Sequence, residues 1–137
     1  MTMMLHKVLF PGESRIFAGQ RWINVILRTL HLVGLAGVGA GFFYPVMDDS
    51  WRLFLYLTLV SGGALMLISI WSNGIWLIQL RGQAILLKLL LLAIMPLFPD
   101  LKALLFVIVI VISGLISHAP ANTRCYSLFQ HRRVDRL

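Results

Sequence analysis

Acidic side chains are scarce in this chain of 137 residues. There are five, Glu13, Asp48, Asp49, Asp100 and Asp135, against twelve lysines and arginines. None of the five falls inside a long apolar run. Proton- or sodium-coupled transport ordinarily needs a carboxylate at membrane depth. The pattern therefore argues against a pump, with His31 the residue that keeps a proton relay open. Charge of either sign is also sparse, 12% of the sequence against about 25% in a typical soluble domain. Cysteine is reduced to Cys125, which excludes an internal disulfide and any iron–sulfur or zinc site built from cysteines within the chain. No nucleophile–base constellation can be read from the residue order, so an enzymatic activity of its own is not expected. Residues 1–21 lack an apolar core long enough for a cleavable signal peptide, because His6 and Lys7 interrupt Leu5–Phe10. The first spanning helix is expected to act as the targeting signal.

What the chain has in abundance is apolar sequence, 59% of residues, with a mean hydropathy of +0.87. That composition predicts one integral membrane domain over 1–137. Four spanning helices are expected, at about 22–43, 52–78, 84–98 and 101–118, with basic tails at 1–21 and 119–137. A short interfacial helix is expected at 15–20. Tyr44-Pro45 ends the first span, since proline cannot continue a helix. Lys88, one turn into the third span, can snorkel toward the surface. Pro96 and Pro99 close that span, and Asp100 is expected to cap the fourth. The β-branched run Phe106–Ile112 would suit a strand, but an isolated strand in lipid leaves its backbone unpaired, so a helix is expected.

The net charge of +7 reads as orientation in a membrane rather than nucleic-acid binding. With both termini on one side, that side holds Lys7, Arg15, Arg21, Arg28, Arg81, Lys88, Arg124, Arg132, Arg133 and Arg136, and the other only Arg52 and Lys102. Both termini are thus expected to be cytoplasmic. The fold class is an all-α membrane protein, an up-down bundle of four transmembrane helices.

The first span carries Arg28 and His31 among Gly34, Gly37, Gly39 and Gly41. An ionisable side chain at mid-depth costs at least about 2.5–3.5 kcal/mol and ordinarily faces a protein interior or cavity. His31 lies nine residues after Trp22, ~14 Å from the cytoplasmic end. His118 closes the fourth span on the same side. Two imidazoles at similar depth can clamp the iron of a haem b as axial ligands, with Arg28 and Arg124 placed for its propionates. Each of these residues has a plainer reading. A hydrogen bond from Ser61, Ser69 or Asn73 would satisfy His31. The glycine stripe serves helix packing as readily as a macrocycle, and His118 can be a solvated helix end.

Other candidates are weaker. Met66 and Met95 can ligate cuprous copper or fill space. Asp48 and Asp49 can form an external metal site or a solvated loop. Cys125 can be reactive, lipidated or inert. His6 and His131 fall in the tails.

Arg28-Thr-Leu-His31 and the glycines after it resemble the first core helix of the copper-resistance-D-like (CopD) membrane proteins and of small membrane proteins of the HemJ type. Leu80-Arg-Gly82-Gln-Ala-Ile-Leu-Leu-Lys88 resembles the cytoplasmic turn of those families. The resemblance covers roughly a quarter of the chain and carries over His31 and Lys88. It implies a helical bundle that binds haem b and handles redox, porphyrin or copper chemistry. Those families place further histidines in later helices, whereas the second and third spans here contain none.

Two functions lead from the sequence, and a small transporter half, which would need to dimerise to build a pathway, stands third. One is a b-type haem protein of a bacterial inner membrane, ligated by His31 and His118, with an electron-transfer or haem- or copper-related role. The other is a non-catalytic membrane subunit or assembly factor of a larger complex. Either sits in the lipid bilayer, with other membrane subunits or a second copy of itself as partner and no nucleic acid.

Overall fold

The computed structural model describes residues 4, 7–8, 11, 13–45 and 48–134. His6 and Arg136 lie outside the described residues. The chain is mostly helical: α1 (Gln20–Phe43), α2 (Trp51–Ser72), a 3-10 turn (Gly74–Leu77), α3 (Leu80–Ile94), two further 3-10 turns (Met95–Leu97 and Pro99–Leu101), α4 (Lys102–His118), a single turn α5 (Ala121–Arg124) and a minimal hairpin of β1 (Tyr126–Ser127) and β2 (Arg132–Arg133). Three helices are long and apolar enough to cross a membrane: α1, α2 and the run Pro99–His118. They leave large apolar side chains uncovered, among them Leu53, Val60, Leu67 and Leu115, as lipid-facing helices do. This is consistent with a multi-pass membrane protein. The run Phe106–Ile112 is helical, as the lipid argument requires.

The chain divides into two compact units, Ile16–Ser69 and residues 1–15 with Ile70–Leu137. In the first unit, Gly19 adopts φ +80°, a left-handed conformation that glycine takes without steric cost, and α1 starts directly after it. The expected helix at 15–20 is not there. Instead Arg15, in the other unit, spends its backbone on the end of α2: its N–H donates to the Ser72 carbonyl at 2.9 Å, and Ser72 Oγ donates to the Arg15 carbonyl at 2.7 Å. Before α2, Ser50 donates to Asp48 Oδ1 from both its amide and its hydroxyl, and Asp49 pairs with Arg52 at 3.1 Å in the open. α1 and α2 pack as an antiparallel pair along the glycine stripe. A Cβ on Gly34 would stand 2.9 Å from Thr58 N, one on Gly37 would enter the Phe54 ring, and one on Gly41 would lie 2.7 Å from Trp51 Cγ. The stripe is thus filled by α2. Val38 and Gly39 are buried beside it.

In the second unit, α2 stops at Ser72, six residues short of the expected 78. Asn73 turns its side chain back to accept the Ile75 amide at 3.0 Å and opens the 3-10 turn. α3 then starts at Leu80 rather than 84, with Gly82 seated against the Trp76 carbonyl, where any Cβ would collide. It ends at Ile94, because Pro96 has no amide to continue the ladder. Fifteen residues extend ~22 Å. Asp100 sits inside the turn Pro99–Leu101 and makes no cap bond to α4. α3 and α4 close over Ala84, Met95, Phe106 and Val109. The basic C-terminal segment, expected as a tail, is folded. Gln79 bridges to Ser127, Gln79 Nε2 donates to the Val134 carbonyl at 2.6 Å, and Ser127 and Val134 are buried.

Candidate functional site

The polar centre of the first unit is built around His31. Its Nδ1 lies 2.9 Å from the Thr58 carbonyl and 3.4 Å from Ser61 Oγ. A carbonyl oxygen can only accept, so Nδ1 carries the hydrogen, and in a neutral ring the lone pair lies on Nε2. Ser61 Oγ donates to Leu57 O at 2.6 Å, which leaves its lone pairs toward the imidazole. Thr58 Oγ1 donates to Phe54 O at 2.8 Å. Thr58 and Ser61 are buried and His31 is partly so. Gly62 makes room for the ring: a Cβ there would stand 2.8 Å from His31 Cε1. Every hydroxyl in this cluster has a bond, as burial in an apolar surrounding demands.

Of the three partners expected for His31, Ser61 reaches it. Ser69 bonds back to Leu65 O, and Asn73 serves the turn and Ser14. The strongest contact, the Thr58 carbonyl, was not anticipated. Arg28 is exposed and makes no hydrogen bond or ion pair among the described residues. His118 is the exposed last residue of α4, in the other unit. Arg124 is half-buried, and its Nε is buried with no hydrogen-bond partner among the described residues.

The remaining candidates are placed as follows. Met95 is buried between α3 and α4, and Met66 is half-buried on α2. Cys125 is a half-buried free thiol whose carbonyl accepts the Val134 amide. His131 is exposed at φ +50° in the hairpin turn. Among the described residues, no three of His, Cys, Asp and Glu come together to hold a metal ion.

The second unit contains a polar contact between α3 and α4. Lys88 Nζ on α3 donates to Ser113 Oγ on α4 at 3.0 Å, and Ser113 Oγ donates to Val109 O at 2.9 Å. The lysine therefore turns into the α3–α4 contact rather than toward the helix end. The serine hydroxyl is given to a carbonyl rather than to a base, so the pair lacks the arrangement of an activated nucleophile.

Comparison with protein-family models, with curated proteins and with solved structures gives no match.

Proposed function

We propose that this chain is a non-catalytic membrane subunit or assembly factor of a larger complex, held in a bacterial inner membrane by α1, α2 and the run Pro99–His118. α3 adds the fourth crossing: its ~22 Å and about 6 Å from the 3-10 turn Met95–Leu97 approach the ~30 Å of hydrocarbon. Four crossings keep both basic ends on the cytoplasmic side, as the distribution of arginines favours. The observation that carries the reading is the α1–α2 contact. The glycine stripe and the half-buried imidazole, the two features that invite a cofactor, are used there to lock one helix against the other. What remains is an apolar exterior suited to lipid and to neighbouring membrane helices.

The haem b reading stands second, on one specific observation. A histidine whose Nδ1–H is held by a backbone carbonyl has the tautomer and orientation that ligating histidines use, with Nε2 as the donor atom. In that reading His31 and His118 hold the iron, and Arg28 and Arg124 the propionates. An absorption spectrum of the detergent-purified protein decides between the two. A colourless protein that inserts fully and runs larger than its monomer with its neighbours retained supports the subunit reading. A Soret band that sharpens on reduction and is lost in His31→Ala supports haem.

A further inference from the structure

Lys88 sits eight residues from the start of α3 and six from its end, about 12 and 9 Å from the two. It lies on the face that packs against α4: Ala84, one turn before it, is buried, as is Val109, one turn before Ser113. An ammonium has three N–H donors, and Ser113 takes one of them. Among the described residues Asp49 is paired with Arg52, and no carboxylate of the described residues meets Lys88. A cation at this depth ordinarily pairs with an opposite charge or with backbone carbonyls, and among the described residues Lys88 meets only the Ser113 hydroxyl. A second copy of the chain cannot supply the opposite charge, because Glu13, Asp48, Asp49, Asp100 and Asp135 all fall outside the apolar runs. Next to Ser113, Gly114 is exposed, and a Cβ on it would meet nothing within 4 Å. A small residue with open space beside it lets another helix come close.

We propose that the α3–α4 seam at Lys88 is the docking site for a membrane helix of another protein, one that carries an aspartate or glutamate at bilayer depth to pair with Lys88 Nζ. The proposal rests on the subunit reading and names its partner by chemistry. The seam supplies an ammonium already turned out of the snorkelling direction, one hydroxyl to orient it, and a glycine that admits a neighbour.

The test uses the full chain, donor-labelled, in phosphatidylcholine vesicles with an acceptor-labelled polyleucine transmembrane peptide. The peptide carries one central aspartate, or leucine in its place, and energy transfer reports association. The aspartate peptide is expected to associate at least about fivefold more tightly than the leucine peptide. Lys88→Met abolishes the difference, and Lys88→Asp restores association to a peptide carrying lysine instead. The charge swap keeps the test decisive even where the methionine variant inserts poorly. Equal association of the aspartate and leucine peptides with the wild-type chain overturns the proposal. So does a preference that disappears when phosphatidylglycerol is added, which assigns Lys88 to a headgroup phosphate. Leucine-peptide association independent of Lys88 removes the carboxylate partner while the subunit reading survives. Stoichiometric haem in the same preparation removes the subunit reading, whatever the peptides do.

Discussion

Replacing Gly34 by alanine separates packing from propensity at one atom's cost. On an open helix face the change favours the helix by about 1 kcal/mol. At Gly34 the new methyl carbon would meet Thr58 Oγ1 and would lie 2.9 Å from Thr58 N and 3.0 Å from Phe54 O. Two of these atoms belong to the backbone of α2 and cannot rotate away. The helices must part by several tenths of an ångström, at the 1–3 kcal/mol typical of overpacking. His31 is one turn away, and its 2.9 Å bond to Thr58 O stretches with the same movement, a loss of about 0.6 kcal/mol or more. The net expectation is destabilisation by about 1–3 kcal/mol. Gly63→Ala is the matched control, since a Cβ there meets nothing within 4 Å; it should be neutral or stabilising by up to about 1 kcal/mol. Unfolding of both variants by sodium dodecyl sulfate in mixed micelles, followed by circular dichroism, measures the difference. If Gly34→Ala unfolds at the same detergent fraction as Gly63→Ala, the α1–α2 contact is not as described.

Three further outcomes follow from named contacts. His31→Ala removes the bond to Thr58 O and the ring lying on Gly62, and should cost about 1–2 kcal/mol in the same assay. Gln79→Ala removes the 2.6 Å bonds to the Val134 carbonyl and from Arg81 Nε, a loss of about 1–3 kcal/mol; the segment 125–134 should then be cut faster by trypsin at Arg132 and Arg133, with the helices intact. Asp49→Asn breaks only an exposed ion pair and should shift stability by less than about 1 kcal/mol, seen as an unchanged unfolding midpoint.

Much of the first unit was legible in the sequence. Length and apolarity marked α1 and α2, Tyr44-Pro45 marked the end of α1, and glycines at three- and four-residue spacing marked the face where another helix fits. The same face carries His31, so Ser61 was within reach as its partner. The Thr58 carbonyl was not, because a backbone acceptor has no signature in a side-chain pattern; Gly62 was the available hint. The second unit was harder to read. Asn73 looked like a polar residue within a span, but its capping bond to Ile75 ends α2 instead. Lys88 was placed too near a helix end because α3 starts at Leu80. The C-terminal hairpin is only two residues per strand and gives no alternation, so its anchoring on Gln79 could not be seen in a basic segment.

On the proposed reading His31 fastens α1 to α2 rather than ligating haem. The optical spectrum of the purified wild-type protein, oxidised and dithionite-reduced, tests it most directly. The account predicts no stoichiometric Soret band in either state, with His31→Ala showing lowered stability as its measurable defect. A Soret band near one haem per chain that sharpens on reduction and disappears in His31→Ala would contradict it.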